Sequence, residues 1–402
     1  MVAPSEYVYL DHAATTPLCE QARVAMEPFL ASGERARPPS FGNPSGSHAL
    51  ARIATRALDE ARERVAAVLG CAPGEVVFTS GGTEADNLAV TGGMPPRPGV
   101  PVCGATEHPA VLEPVRALDG VEVAVDAAGR VLPDALAGTL ERLGGGTGRR
   151  ASVVSVMCAN NELGTINDLD ALAAVVHEHA PGVPLHSDAV QAAPWLDLSV
   201  AARAADLVSV SAHKLGGPKG VGALVVRAGS MLSALIHGGG QERGRRGGTP
   251  DLAGIVGFAA ALEATASQRC SQAARVAALR DELAAELELL EAVSPTVGTT
   301  GAAVLPGHLH LLVEGVSAEE LLLLLEQRGV CASAGSSCAS GAAAGSHVVE
   351  AIGVTGRDRA PPRISPGATT TRREIRAAAD ALRWALARLA ERGGSPVLEA
   401  RT

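Results

Sequence analysis

Between about residue 50 and residue 260, short apolar runs alternate with segments of helical pattern. Few architectures accept that alternation. Strands that follow one another through crossover helices must lie parallel, so the pattern predicts a mainly parallel sheet covered by helices. Expected strands are Val76–Thr79, Val121–Val125, Ser152–Met157, Val183–His186, Asp206–Val210 and Ala223–Arg227. Expected helices are His48–Leu69, Asp168–His179 and Ala273–Leu290, the last long enough to bridge two domains. Beyond it, strand-like Leu309–Val313 and Arg363–Ser365 and helices over Ala318–Gln327 and Thr371–Ala390 fit a smaller α+β domain. The expected division is a large domain over residues 20–260 and a small one from residues 1–19 with 261–402.

Composition narrows what such a fold can do. With 402 residues, 47% of them hydrophobic and only 2% aromatic, Ala, Val and Leu must fill the interior. A net charge of -9 argues against a surface that neutralises phosphate backbones, so no nucleic-acid partner is expected. No apolar span has the length of a membrane helix, and the first residues carry no basic-then-apolar leader. Seven irregularly spaced cysteines do not form a disulfide framework, which suits a reducing cytoplasm. No metal is expected: Cys331 and Cys338 lack a second ligand pair, and His177 and His179 face different sides of a helix.

The basic residues are distributed unevenly. Of 34 Lys and Arg residues only two are lysine, Lys214 and Lys219, both in Ser211-Ala212-His213-Lys214-Leu215-Gly216-Gly217-Pro218-Lys219-Gly220. Arginine supplies charge but cannot form a Schiff base or carry a proton near neutrality. A chain that keeps lysine only here points to amine chemistry, first of all pyridoxal phosphate held by Lys214. Lys219 reads as a turn residue in Gly-Pro-Lys-Gly.

Other polar residues follow the expected strands. Val76 to Asn87 reads as strand, glycine turn and helix start, where free amides and the Thr83 hydroxyl suit a phosphate, although Thr83 could equally be an ordinary cap. Asn160-Asn161-Glu162 and Ser187-Asp188-Ala189-Val190-Gln191 also follow strands, and ligands of open parallel sheets sit beyond carboxyl ends. An aspartate placed there can keep a pyridine nitrogen protonated, while Asn161 and Gln191 can bond a ring hydroxyl; each alone could be a turn residue. Residues 331–346 contain nothing larger than cysteine, so part of that stretch is expected to be a mobile loop.

Taken together, these motifs resemble class V aminotransferase-fold enzymes, and within them cysteine desulfurases of the bacterial NifS/IscS type. The matching stretches are Tyr9 to Pro17, Gly42 to Ser45, Thr79 to Glu84, Thr106 to His108, Asn160 to Glu162, Asp188 to Gln191, Ser211 to Gly220, His237 to Thr249, Gly335 to Cys338 and Arg363 to Gly367. They cover about residues 7–390. The resemblance implies an α/β fold of the aspartate aminotransferase-like type (fold type I), a homodimer, and L-cysteine as substrate.

It also implies roles. Lys214 would hold pyridoxal 5'-phosphate and move the substrate Cα proton. Gly82, Thr83, Ser211 and His213 would bind the phosphate, with Thr249 from the other subunit. Asp188 would pair with the ring nitrogen, Asn161 and Gln191 with the ring oxygen, and His108 would stack on the ring and assist proton transfer. Arg363 and Asn43 would bind the substrate carboxylate. The Cys338 thiolate would attack the substrate sulfur, keep it as a persulfide and release alanine. The acceptor would be a protein: an iron–sulfur scaffold, a tRNA-thiolation protein or a sulfur carrier.

This chain departs from the family at Ala343-Ala344-Gly345, where Leu-Glu-Pro is frequent, and at Pro366 beside Arg363. Rival readings are another class V activity, selenocysteine lyase or aminotransferase, and a non-catalytic sulfur-transfer scaffold.

Overall fold

Runs rich in β-branched residues build a central seven-stranded sheet. The computed structural model describes residues 7–31, 41–92, 99–145, 149–297, 301–335, 346–354 and 359–393. Its strands in chain order are β1 (Val8–Tyr9), β2 (Val76–Thr79), β3 (Val100–Gly104), β4 (Val121–Val123), β5 (Ala151–Ser155), β6 (Leu185–Asp188), β7 (Leu207–Ser211), β8 (Gly222–Val226), β9 (Val293–Pro295), β10 (Leu309–Glu314), β11 (Val330–Cys331), β12 (Arg359–Ala360) and β13 (Arg363–Ile364). The large sheet has the order β2-β8-β7-β6-β5-β3-β4. Strand β8 is antiparallel to both neighbours and every other pair is parallel, so β2 runs the same way as β3 to β7.

Helices cover the sheet because their sequences carry one apolar stripe. In Ala49–Leu69, Ala51, Ala54, Leu58, Ala61, Val65 and Leu69 are buried, a spacing of three and four. The His48 ring accepts a hydrogen bond from Ala51 N at its start, and Gly70 ends it at φ 65°. Burying each Leu or Val of that stripe contributes about 1.5–3 kcal/mol. The sheet side of these helices merges with Phe78, Val102, Val154, Val210 and Phe258 in one core.

A second core gathers around a small sheet. Strand β10 pairs antiparallel with β9, β12 and β13, and Leu283, Leu311, Leu325, Ile375 and Leu382 pack there. Leu10 belongs to the same core, because β1 pairs in parallel with β11 and Asp11 bridges Ser365. The amino-terminal segment thus starts against the small sheet and then crosses toward the large one.

Two expectations need correction. The helix expected from Ala273 begins at Leu252 and runs to Leu287, 36 residues, so residue 260 lies inside a helix. Every residue from Gly254 to Leu262 is buried, so that half has no polar face and no amphipathic period to read. Strand β3 was not among the expected strands, since Pro101 interrupts its apolar run. A register irregularity between Val100 and Pro101 accommodates the missing donor.

A buried ion pair fixes the loop that ends at Thr249. The Arg62 guanidinium meets the Glu242 carboxylate at 2.7 and 2.8 Å, with side chains only 7% and 5% exposed. Glu242 Oε2 also accepts from Phe78 N at 2.9 Å, and Arg62 donates to Val76 O at 2.7 Å. Glu242 and Arg243 hold φ of 48° and 58°, a strained conformation that this pairing must over-determine. Nearby, Arg246 Nε donates to Glu84 Oε1 at 2.8 Å, tying the loop to the helix start beside Thr83. Glu242→Gln leaves the guanidinium buried against a neutral group and should cost about 3–5 kcal/mol in urea unfolding. A loss below about 1 kcal/mol would rank the pair with surface bridges.

Candidate active site

Because β2, β3, β5, β6 and β7 run parallel, their carboxyl ends share one edge of the sheet. From that edge emerge Gly81-Gly82 after β2, Glu107-His108 after β3, Asn160-Asn161 after β5, Asp188 with Gln191 at β6, and Ser211 to Lys214 at β7. The glycine turn comes close to β7 for a steric reason. A Cβ on Gly222 of β8 would meet Val210 O at 2.6 Å and Gly81 Cα at 2.8 Å, and Gly81 itself sits at φ 150°. Ser211 Oγ and Asn161 Oδ1 are buried there with no hydrogen-bond partner among the described residues. Buried polar atoms of this kind call for a partner. The edge therefore offers a phosphate-sized set of donors (the turn amides, Ser211 and the helix start at Gly82) and an acceptor for a ring substituent.

Lys214 ends a 3-10 turn, Ala212–Lys214. Its Nζ donates to Ala13 O at 2.6 Å and Ala14 O at 2.8 Å. Gln191 Nε2 donates to the same Ala13 O at 2.7 Å, and Thr16 Oγ1 donates to His213 O at 2.8 Å. His213 Nδ1 lies 3.1 Å from Thr15 Oγ1. The amino-terminal segment thus crosses directly over the amine.

Burial sets the charges around it. Asp188 accepts from Val190 N at 2.8 Å; burial pushes its carboxyl up to about 6 against the lowering effects of that bond and of Lys214. Behind it, burial raises Asp86 and Glu107 well above the carboxylate range, and the Asp188 charge adds to both. His186 lies between Ser155 Oγ at 2.8 Å and Ser209 Oγ at 2.9 Å, with Asp86 Oδ1 at 3.6 Å. Burial lowers it to about 3, so it is a neutral strut. His108 Nδ1 accepts from Ala110 N at 3.1 Å and caps the helix Pro109–Ala117. Burial, then Lys214 and His347, lower it to about 4, so at neutral pH the ring is uncharged. Burial likewise brings His213 down to about 4.

On the far side, Arg363 of β13 is 2% exposed. It donates to Asn161 O at 2.9 Å and to Asp11 Oδ1 at 2.8 Å. His308 and His310 nearby are held near 3 by burial first and Arg363 second. Glu162 accepts from Ser346 Oγ at 2.6 Å, and burial raises its carboxyl.

Residues 8–377 match the family described as aminotransferase class-V. The chain belongs to that family. Among curated members, the IscS-like cysteine desulfurase of Mycobacterium tuberculosis is 40% identical, covering 94% of this chain and 96% of the relative. A solved NifS-like protein superposes with a TM-score of 0.83 at 31% identity, covering 94% of this chain and 98% of its own. SspA, solved in complex with cysteine, gives 0.75 at 31% identity over 90% of this chain and 99% of its own.

Within this class-V chain, the fold brings Gly82, Thr83, His108, Asn161, Asp188, Gln191, Ser211, His213 and Lys214 to one sheet edge, with Arg363 joined through the Asn161 carbonyl. Asn43 lies in an exposed turn of this chain, and Thr249 is expected at the site of the other subunit. The Asn43 Oδ1 accepts from Ser45 N at 2.9 Å. Thr249 is exposed beyond the pinned loop. Cys338 lies outside the described residues. Sequence reasoning assigned no role to Asp11, Asp86, Glu107 or Gly222; the first three sit inside or beside quoted motifs, but only packing reveals their burial and partners. No group of three or more metal-ligating side chains occurs among the described residues.

Proposed function

We propose that this class-V chain is a cysteine desulfurase working with pyridoxal phosphate held on Lys214. The carrying observation is the convergence of an amine, a buried aspartate and unpartnered Ser211 Oγ and Asn161 Oδ1 at one sheet edge. The relatives named above, two of them identified with cysteine desulfurase or cysteine itself, support the substrate.

The cofactor supplies an electron sink for breaking bonds at the substrate amino acid. Gly82, Thr83, Ser211 and His213 would hold its phosphate, and Asn161 and Gln191 its ring oxygen. Asp188, raised by burial to about 6 and still mostly ionised at neutral pH, would pair with the ring nitrogen and favour its protonated form. His108, neutral above about pH 4, would cover the ring and assist proton transfer there. Arg363 receives the substrate carboxylate while still anchored to Asp11. The Lys214 amine moves the Cα proton. The Cys338 thiolate then attacks the substrate sulfur; the Cβ–S bond breaks, an S–S bond forms, and a proton returned to Cβ completes alanine. The balance is cysteine plus enzyme thiol giving alanine plus enzyme persulfide.

In this proposal the small domain, made from the amino-terminal segment and the residues after the long helix, carries the Cys338 stretch. The protein works as a cytoplasmic homodimer in which Thr249 serves the phosphate of the second copy, and a protein acceptor takes the sulfur. No helix among the described residues is long and apolar enough to cross a membrane.

The test is direct. Protein stripped of cofactor and reloaded with pyridoxal phosphate is given L-cysteine and a reducing thiol, and alanine is quantified. Alanine should form only in the reloaded sample. Failure to form it, with transfer of the amino group to an added 2-oxo acid instead, would make the chain an aminotransferase.

A further inference from the structure

A cavity of about 200 Å³ lies between the helix Glu20–Met26, the middle of Leu252–Leu287, the turn after β6 and residues 366–369. Pro17, Leu18, Trp195, Ala264 and Pro366 give it mainly apolar walls. Two cations face it, Lys214 and Arg269, and no Asp or Glu lines it. None of the phosphate-turn residues, Asp188 or His108 borders this space, although Gln191 and Lys214 do.

Arg269 is the informative residue. Its side chain is only 10% exposed, and the nearest carboxylate, Asp197, is 3.9 Å away, beyond hydrogen-bond reach. Asp197 Oδ1 is already occupied by Ser199 N at 3.1 Å and Ser199 Oγ at 2.7 Å. Arg269 Nε is buried with no acceptor among the described residues. Three of the polar side chains that line the cavity are engaged elsewhere: Gln191 with Ala13 O, Thr265 with Leu215 O, Thr369 with His12. A guanidinium whose Nε is buried without an acceptor, and whose one ion pair is as long as 3.9 Å, can gain from a further anion, and a carboxylate is the group that best matches its fork. The space is several times what one water needs, and apolar walls favour an organic body over solvent.

We propose that this cavity binds a small organic carboxylate, its anionic end on Arg269 and its apolar body against Trp195. The inference stands apart from the proposed reaction, because such a ligand can bind whether or not the chain releases alanine from cysteine.

Trp195, one of two tryptophans in the chain, reports occupancy. Benzoate is titrated into the cofactor-loaded protein while emission and heat are followed. Saturable binding is expected, with the emission change lost in Trp195→Phe. Benzamide, its neutral counterpart, and the Arg269→Gln variant should each bind or be bound at least about tenfold more weakly. If Arg269→Gln does not fold, the benzamide comparison and competition by L-cysteine in the unaltered protein decide. Equal binding of benzamide, or displacement of benzoate by L-cysteine together with loss in Arg363→Gln, places the ligand elsewhere and overturns the proposal. No saturation up to about 10 mM overturns it as well.

Discussion

Lys214→Arg should lower alanine formation from L-cysteine by at least about 10³-fold while leaving the fold intact. Arginine keeps the positive charge and can still donate to the carbonyls of Ala13 and Ala14, which Lys214 Nζ meets at 2.6 and 2.8 Å. It cannot attach covalently to a carbonyl cofactor, and at ordinary pH it cannot give up its proton. The absorbance of lysine-bound cofactor should disappear, and the thermal midpoint should stay within a few degrees of the parent. Retention of activity within tenfold would show that the amine does neither task. Lysine is absent from the chain except at 214 and 219, and Lys219 is exposed in a turn, so rescue by another amine is not expected.

Cys338→Ser should have a comparable effect on sulfur release, at least about 10²-fold, with no sulfur atom added to the protein by mass spectrometry. The argument is chemical: a serine hydroxyl does not ionise near neutrality and forms no stable bond to sulfur that a thiol acceptor could relieve. Four of the described thiols make poor substitutes. Burial pushes Cys71 up to about 11 and Cys158 to about 12, raises Cys103 further, and also raises Cys331. Cys331→Ser, altering a residue of the short parallel pair with β1, should retain activity within about twofold. A Cys338→Ser protein with full alanine output would remove the persulfide from the proposal.

What the residues disclosed in advance follows from which features are local. The strand end at Thr79 was legible because its apolar run gives way to Ser80-Gly81-Gly82; the ends expected at Met157, His186 and Val210 fall instead at Ser155, Asp188 and Ser211, one or two residues away. The amine site was legible because lysine is so rare. Burial, in contrast, is a property of the assembled sheet. Asp86 and Glu107 look like ordinary helix and turn acids in sequence, and only packing puts them behind Asp188. The clamp between Arg62 and Glu242 joins positions 180 residues apart, beyond any periodic signal. Asn43 shows a local feature the motif did not disclose: its Oδ1 accepts from Ser45 N and shapes its own turn.

The buried titrating groups behind the sheet edge oppose one another in proton linkage. His108, His186, His213, His308 and His310 have folded pKa values of about 3 to 4, below that of a free imidazole. The folded chain therefore binds fewer protons there than the unfolded one, and their contribution to stability falls as pH drops below about 6.5. Asp86, Glu107, Glu162 and Asp188 are raised instead. They hold protons that the unfolded chain has released, and their contribution grows over the same descent. Mild acidification consequently sets two tendencies of opposite slope against each other, giving the interior a flatter response to acid than imidazoles or carboxyls alone would impose.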